Sequence, residues 1–359
     1  MILTFILFLG IGYGKWSRYP LRWSDAFYST NHIANQLAIN PILYFLNTYL
    51  WRAESYDIDN VKKYYPFIAK HLGIDNINDY YDQDLKYSRL NILKSYDNFK
   101  FKKLDISEME ELKITFKSFN PQKVVNLAAQ PGVRNSLTNS SLYITSNIVG
   151  FMNIIELCKT FSVNGLIYAS SSSVYGKNIK TPFSVDDRVD TPISLYAATK
   201  KSNELIAYSY SHLYKLNTTG LRFFSVYGPY GRPDMAYYLF TDKISNNKVI
   251  SVFNNGKMKR DFTYIDDIIN GIERAIIKNY KCEIFNLGNN KNYSLMNLIN
   301  IIEKKLGKKA QIKFYPKQPG DVTETYANIN KSKKMLNYNP NTRLDKGIES
   351  FINWYTKYK

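Results

Sequence analysis

Short apolar stretches that suit β-strands alternate with longer stretches of helical periodicity over most of this chain, from about Gly73 onward. The strand-like stretches are residues 99–104, 123–127, 166–170, 219–223 and 283–287. The helical stretches carry apolar residues at intervals of three and four, and they are residues 108–119, 146–161, 194–213 and 265–278. Strands separated by helices of this length run parallel, because each helix crosses over a face of the sheet. The alternation therefore predicts an α/β fold with a doubly wound parallel sheet.

Composition narrows the class of protein. The chain has 359 residues, of which 45% are hydrophobic, and this suits one large or two closely joined globular domains. Its two cysteines, Cys158 and Cys282, show no pairing pattern, so we expect a reduced, cytoplasmic protein without a disulfide framework. The three histidines, His32, His71 and His212, lack the spacing of metal ligands, and we predict no metal site.

The charge and the N-terminus exclude two further classes. The formal net charge is +18, but the lysines are scattered and no nucleic-acid-binding motif is present, so we predict no nucleic-acid partner. The apolar run at residues 1–13 is shorter than the roughly 18 residues of a membrane span, and no positive residue precedes it. We therefore expect no complete membrane helix.

A tyrosine and a lysine four residues apart, Tyr196 and Lys200, indicate acid–base chemistry. On a helix with Ser194 as its N-cap they share one face, so the ammonium stabilises an ionised phenol whose ordinary pKa is about 10. The spacing alone is weak evidence in a chain with 31 tyrosines. It gains specificity from the serine run at residues 170–173, which ends a predicted buried strand, because open α/β sheets bind ligands at that edge. Tyr196 is thus a candidate general base.

A dinucleotide-binding fold opens with a strand, a glycine-rich turn and a helix, followed about 20 residues later by an acidic residue. Asp75 suits the acidic position, because it closes a short apolar run. No glycine occurs from Lys15 through Leu72, where the turn would fall, and the glycine cluster at residues 10–14 has the wrong spacing. A Cβ blocks the approach of backbone amides to a pyrophosphate, so this absence predicts weaker dinucleotide binding.

Eight motifs beyond residue 72 resemble those of the extended short-chain dehydrogenases/reductases, in the NAD-dependent epimerase/dehydratase family. They include Asn-Leu-Ala-Ala-Gln-Pro-Gly-Val-Arg at 126–134, Tyr-Ala-Ser-Ser-Ser-Ser-Val-Tyr-Gly at 168–176, Leu-Arg-Phe-Phe-Ser-Val-Tyr-Gly-Pro at 221–229 and Gly-Arg-Pro-Asp-Met-Ala at 231–236. The others lie at 73–82, 195–201, 260–267 and 318–322. Within the family, the chain is most similar to the bacterial UDP-glucuronate 4-epimerases, and residues 1–72 do not share the resemblance.

The resemblance implies inversion of carbon 4 of UDP-glucuronate, or of a close UDP-hexose, through a transient 4-keto sugar with NAD as cofactor. It implies that Tyr196 takes the proton of the 4-hydroxyl, that Lys200 positions the nicotinamide ribose, and that Ser171 is the catalytic hydroxyl. Ser173 is a second candidate for that hydroxyl. Tyr196 and Lys200 also count among the implied cofactor contacts, whose other members are Asp75, Asn76, Asp105, Ile106, Leu127, Ala128, Ala129 and Asn147.

The same resemblance implies a set of substrate contacts. Arg260 would bind the diphosphate, Asp321 the uridine ribose and Arg232 the glucuronate carboxylate, with Ser225 and Arg134 nearby. A guanidinium suits a carboxylate because it donates two parallel hydrogen bonds. For each of these arginines, the alternative is a salt bridge at the surface or between lobes.

The resemblance also implies how the chain is divided. Residues 73–226 and 260–288 would form a Rossmann-like dinucleotide-binding domain, and residues 227–259 and 289–359 a smaller C-terminal substrate-binding lobe. Residues 1–72 would be a divergent segment in place of the first βαβ element. By analogy with the family, we expect a homodimer.

Two alternatives to the epimerase remain open at this point. Dehydratases of this superfamily carry Asp or Glu just before Val-Tyr-Gly, whereas this chain has Ser172 and Ser173 there, which favours an epimerase over a dehydratase. Because the glycine turn is missing, the other alternative is a non-catalytic remnant that binds UDP-sugars without turnover.

Overall fold

A computed structural model describes residues 71–318 and 322–359. Within these, Leu72–Ser95 and the described residues from Phe101 onward belong to one compact unit. The expectations for the apolar run at residues 1–13, for the replaced first βαβ element and for Asp321 fall outside the described residues.

The described residues form parallel and antiparallel strands that alternate with helices. The strands are β1 (His71–Asp75), β2 (Phe99–Lys103), β3 (Lys123–Asn126), β4 (Gly165–Ser171), β5 (Thr218–Phe223), β6 (Ser225–Tyr227), β7 (Ile250–Phe253), β8 (Lys259–Arg260), β9 (Phe262–Tyr264), β10 (Cys282–Leu287), β11 (Tyr293–Ser294) and β12 (Ile312–Tyr315). The α-helices are α1 (Gln83–Lys94), α2 (Met109–Phe119), α3 (Ser140–Tyr143), α4 (Gly150–Thr160), α5 (Leu195–Tyr214), α6 (Ala236–Ser245), α7 (Ile265–Lys278), α8 (Leu295–Leu306), α9 (Asn330–Leu336) and α10 (Leu344–Tyr358).

A four-stranded sheet with the order β10-β5-β4-β3 is the largest in the described residues, and all its strands run parallel. Its strands coincide to within one residue with those predicted at 123–127, 166–170, 219–223 and 283–287. In the register, Ser170 lies opposite Arg222, and Arg222 lies opposite Asn286. The predicted Rossmann-like α/β architecture is confirmed.

Both faces of β4 are buried, which explains why its sequence is a continuous apolar run. Leu166 and Tyr168 point to one face and pack in a core cluster with Phe151 of α4. Ile167 points to the other face and packs with Phe285 and with α7. Helices therefore cover the sheet on both sides, as the alternation predicts.

Helix α4 is preceded by a π-helical turn, Ile144–Val149, so the helical segment starts earlier than the predicted residue 146. By length and composition alone, one segment in the described part of the chain, Ser140–Thr160, would suffice to cross a membrane. Half of its most apolar window is buried inside the protein, where Ile155 and Cys158 are inaccessible to solvent. It is a core helix by its packing.

Strands β1 and β2 form a separate two-stranded sheet. In the doubly wound order 3-2-1-4-5-6, the first strand lies between the second and the fourth. Within residues 71–318 and 322–359, no strand joins β1 to β3.

The C-terminal part has its own core cluster, which Tyr237, Ile299 and Phe351 exemplify on α6, α8 and α10. Short strand pairs border it, β12 with β7 and β6 with β9 in parallel, and β11 with β8 antiparallel. The boundaries between a dinucleotide-binding domain and a substrate-binding lobe stay a prediction.

Candidate active site

Helix α5 holds Tyr196 and Lys200 at the carboxyl edge of β4. The helix begins at Leu195, because the Ser194 hydroxyl accepts a hydrogen bond of 3.1 Å from the backbone N–H of Ala197. The predicted N-cap is confirmed. Lys200 is 3% exposed, and its ammonium donates to the backbone oxygen of Ala169 at 2.9 Å. It lies 6.0 Å from the centre of the Tyr196 ring.

Ser171 is the last residue of β4 and contacts both the next turn and Tyr196. Its hydroxyl oxygen accepts a hydrogen bond from the Ser173 backbone N–H and donates to the Ser173 hydroxyl, each at 3.1 Å. The Ser171 side chain also lies close enough to the Tyr196 phenol to favour its ionised form. The structure thus brings together Tyr196, Lys200, Ser171 and Ser173, the four residues predicted to be catalytic.

Burial raises the pKa of Tyr196 above its ordinary value, and the charge of Arg232 and the Ser171 hydrogen bond oppose that rise. Burial also lowers the pKa of Lys200 to about 8. Burial disfavours both charged forms, phenolate and ammonium alike. The expectation that Lys200 lowers the Tyr196 pKa stays a prediction.

Arg232 lies close enough to Tyr196 for its charge to act on the phenol. Its guanidinium holds Asp234 with two hydrogen bonds, Nε to Oδ1 at 3.0 Å and one Nη to Oδ2 at 2.6 Å. The Tyr80 hydroxyl donates to the same Oδ2 at 3.2 Å. The ring of Tyr143 meets that of Tyr196 edge-on, with centroids 6.3 Å apart.

Sequence reasoning did not single out Tyr80, Tyr143 or Asp234. A signal existed for Asp234, which follows Arg232 by two residues in Gly-Arg-Pro-Asp, a spacing at which an arginine and an aspartate can pair. Tyr143 had no local signal, since it contacts Tyr196 only through the packing of α3 beside α5.

The ends of β1 and β2 bring the predicted adenosine contacts together. Asp75 closes β1, and its carboxylate accepts a hydrogen bond from the Ile77 backbone N–H. The Asn76 amide donates to Asp105 at 2.8 Å. Burial opposes ionisation of Asp105, but hydrogen bonds from Ser107 and Asn76 prevail and lower its pKa. The backbone oxygen of Ile106 accepts from Asn153 at 3.0 Å.

The other predicted cofactor contacts follow β3. Leu127 and Ala128 are exposed and Ala129 is partly exposed, so this backbone is accessible at the carboxyl edge of the sheet. Asn147 differs, because its amide is buried and engaged by protein groups. It accepts from the Gln130 backbone N–H at 2.7 Å and donates to the Gln130 carbonyl and the Thr199 hydroxyl, each at 3.1 Å. Its contact with a cofactor stays a prediction.

The predicted substrate residues lie in separate loops and short strands. The Arg134 guanidinium stacks over the Phe253 ring at 4.5 Å. Arg260 in β8 donates to the backbone oxygens of Lys259 and Thr323. Ser225 opens β6. Of the predicted substrate arginines, Arg232 is the one whose charge acts on Tyr196.

Sequence comparison identifies the family. The profile of the GDP-mannose 4,6 dehydratase family matches residues 69–351. The UDP-glucuronate 4-epimerase of Thermodesulfobacterium geofontis is 46% identical over 284 residues, which cover 79% of this chain and 87% of that protein. Protein CapI of Staphylococcus aureus is 48% identical over 294 residues, covering 76% and 87%. The chain belongs to this family of NAD-dependent epimerases and dehydratases.

A solved member of the family shares the fold. The crystal structure of UDP-glucuronic acid 4-epimerase from Bacillus cereus, in complex with UDP-glucuronic acid and NAD, matches with a TM-score of 0.76 at 33% identity. The match covers 80% of this chain and 91% of that one. The family match begins at residue 69, four residues before the first motif at residue 73.

The described residues fit the NAD of the family at both ends of a dinucleotide. Lys200 is a buried ammonium with three donors, and the Ala169 carbonyl is its one hydrogen-bond acceptor in the part of the chain that the structure describes. Its remaining donors suit the hydroxyls of a ribose. At the other end, Asp75 presents an exposed carboxylate. The region where a pyrophosphate turn would lie is outside the described residues.

Proposed function

We propose that this chain is a UDP-glucuronate 4-epimerase that uses NAD. One observation carries the proposal, namely that the Arg232 guanidinium lies within electrostatic reach of the Tyr196 phenol. In glucuronate the carboxylate is borne by carbon 5, next to the reacting carbon 4. An enzyme for this sugar therefore needs a base and a carboxylate-binding cation close together. The names of the relatives, UDP-glucuronate 4-epimerases among them, support the same substrate.

In the proposed reaction, Tyr196 accepts the proton of the 4-hydroxyl as its phenolate and later returns it to the 4-keto sugar. Ser171 stabilises the ionised form when its single O–H, which donates to Ser173 in this structure, turns to the phenolate oxygen. Arg232 binds the sugar carboxylate and favours the phenolate by its charge. The chemistry that NAD supplies when bound is reversible acceptance of a hydride. Lys200 would hold its nicotinamide ribose, and Asp75 with Asn76 the adenosine ribose.

The remaining predicted residues have roles at the periphery of this reaction. Asp105 and Ile106 would flank the adenine, Leu127, Ala128 and Ala129 would line the cofactor, and Ser225, Arg134, Arg260 and Asp321 would hold the UDP-sugar. The serine pair before Val-Tyr-Gly supports epimerisation over dehydration, because a dehydratase needs a carboxylic acid there. The Ser173 hydroxyl accepts a hydrogen bond from Ser171, which supports a role beside the base.

The test is conversion of UDP-glucuronate by the purified full chain with added NAD, followed by proton NMR of the sugar. We expect UDP-galacturonate to accumulate to an equilibrium mixture, and we expect Tyr196→Phe to abolish its formation. UDP binding, measured by calorimetry, should survive in the variant. UDP binding without any epimer from the wild-type chain would instead establish the non-catalytic remnant.

A second experiment tests the carboxylate contact. Arg232→Ala should raise the KM for UDP-glucuronate at least tenfold more than the KM for UDP-glucose, because a bidentate charged pair is worth roughly 1.5 to 3 kcal/mol and the neutral sugar never makes it. Equal effects on both substrates would remove Arg232 from this role.

We propose that the enzyme is a homodimer built on α5. Leu205 and Tyr208 lie three residues apart on this helix and are 58% and 64% exposed. Val149, on the π-helical turn that packs beside α5, is 42% exposed. Adjacent apolar side chains of this size favour burial against a second copy. The free thiols of Cys158 and Cys282 support the proposed cytoplasmic location.

A further inference from the structure

Three residues spaced by four along α5 each contact a residue at the end of β4. Tyr196 lies beside Ser171, and Lys200 donates to the Ala169 carbonyl at 2.9 Å. One turn further, Glu204 accepts a hydrogen bond of 2.6 Å from the Ser170 hydroxyl. Residues four apart lie on one helix face, so this face of α5 contacts three consecutive residues of β4.

Glu204 is in turn held by a buried arginine on the neighbouring strand. Nε of Arg222 donates to Oε1 of Glu204 at 2.8 Å, and one Nη donates to Oε2 at 2.9 Å. Glu204 and Arg222 are each 2% exposed. Lys201, at 3.5 Å, is the other cation beside this carboxylate in the described residues. The hydrogen bonds therefore fix the orientation of the Glu204 carboxylate, and the two cations balance its charge.

The same network continues across the sheet. Arg222 donates to the Tyr175 hydroxyl at 3.1 Å, and Tyr175 donates to the Asn286 side chain at 2.7 Å. Ser170, Arg222 and Asn286 stand in register on β4, β5 and β10. One buried polar row thus links the carboxyl ends of three strands, next to the candidate catalytic serine.

We propose that Glu204 is a positioning residue, which sets α5 on β4 so that the Tyr196 phenol and the Ser171 hydroxyl meet. The proposal rests on the proposed function for the importance of that meeting. Stability alone does not account for the pair, because a buried ion pair is often no more stabilising than apolar side chains of equal volume. Apolar packing would not provide a directional hydrogen bond to Ser170, the residue before Ser171.

Removing the Ser170–Glu204 contact should affect the Tyr196 phenol and its immediate neighbours. The charged and titratable groups that face this phenol are Lys200 on its own helix, Tyr143 on α3 and Arg232 in the loop before α6. None of these residues is altered when the Ser170–Glu204 contact is removed. Loosening that contact should weaken the Ser171 hydrogen bond and leave the other influences in place.

The decisive variant is Ser170→Ala, which deletes one donor to Glu204 and keeps its pair with Arg222. Ser332→Ala is a matched control. Ser332 is 1% exposed and Ser170 2%, and both donate at 2.6 Å into the same network, Ser332 to the Asn286 backbone oxygen. Both variants should lower the melting temperature by similar amounts. Only Ser170→Ala should change the environment of Tyr196.

We expect Ser170→Ala to lower kcat by about tenfold, the effect of one lost hydrogen bond on the barrier, with KM within about twofold. The ascending limb of its kcat against pH should move to higher pH, because a weaker Ser171 bond leaves the Tyr196 phenolate less stable. Ser332→Ala should leave both unchanged. If both variants keep the wild-type kcat and profile, the positioning role is overturned.

A second readout does not depend on turnover. In protein with ¹³Cζ-labelled tyrosine, the resonance lost in Tyr196→Phe belongs to Tyr196 and reports its hydrogen bond. It should shift in Ser170→Ala and stay in place in Ser332→Ala. An unshifted resonance in a folded Ser170→Ala protein contradicts the proposal, even if the chain proves to lack epimerase activity. Glu204→Gln, if folded, should shift it in the same direction.

Discussion

Asp234 moderates the charge that Arg232 exerts on the Tyr196 phenol. The carboxylate lies 2.6 Å from the guanidinium and pairs with it through two hydrogen bonds. Arg232 is the largest of the influences that lower the Tyr196 pKa against burial. An aspartate at this distance offsets part of that positive charge. Asp234 therefore holds Arg232 in place and leaves the pKa of Tyr196 higher than it would be beside an unpaired arginine.

Removing this carboxylate should make the tyrosine a base at lower pH. In Asp234→Asn the full charge of Arg232 acts on Tyr196, so the phenol's pKa falls and the ascending limb of kcat moves to lower pH. Asp190→Asn is the control, because Arg188 and Asp190 form the same two-residue pair at 2.6 Å on the exposed surface. A shift toward higher pH in Asp234→Asn would contradict this account.

At the same scale, the sequence predicts the residues of the site that local motifs carry. Helical spacing predicts Tyr196 and Lys200, a strand end predicts the serine run, and the family resemblance singles out Ser171 within it; the structure places the three together. The Glu204–Arg222 pair is not predicted, since its partners come from α5 and β5 and meet only when the helix packs on the sheet. Contacts of that kind depend on the tertiary structure.

Among the elements, α5 has both a side-chain N-cap and the candidate general base in its first turn. Ser194 caps the helix two residues before Tyr196, so the first turn carries the candidate base. Ser294 caps α8 in the same way, with a hydrogen bond of 3.1 Å to the Asn297 N–H, and that helix bears no candidate catalytic residue. The two capping serines therefore differ in whether their helix carries a candidate catalytic residue.

Replacing either cap by alanine should lower the free energy of unfolding by about 1 kcal/mol, because each loses one bond to an otherwise unpaired N–H. Urea denaturation would measure this loss. Ser194→Ala should also reduce kcat several-fold, since the frayed first turn no longer holds the phenol, whereas Ser294→Ala should keep the wild-type kcat. Equal turnover in the two variants would show that the first turn is held by other contacts.

Element boundaries show where periodicity is sufficient. The four strands of the parallel sheet and helix α7 are predicted to within one residue, because long apolar runs and helical spacing specify them. The pairs β8 with β11 and β6 with β9 are two or three residues long and carry no such pattern. Strand β12 pairs with β7 although some sixty residues separate them. Their pairing follows from the packing of the C-terminal core.

On the scale of the whole molecule, apolar residues outside the core define the face of the proposed dimer. Helix α5 buries Lys200 and Glu204 against the sheet and presents Leu205 and Tyr208 to solvent. One helix thus serves the site through its buried residues and the proposed dimer through its exposed ones. Association should consequently stiffen the element that holds the base.

The dimer can be tested without touching the site. Leu205→Glu combined with Tyr208→Glu places two buried charges in the proposed interface, so light scattering after size exclusion should change from twice the chain mass to the chain mass. Phe314→Glu is the control, because Phe314 is 50% exposed on β12 and lies outside α5. Its mass should equal that of the wild type. A monomeric wild-type chain, or a double variant that remains a dimer, would rule out this face as the interface.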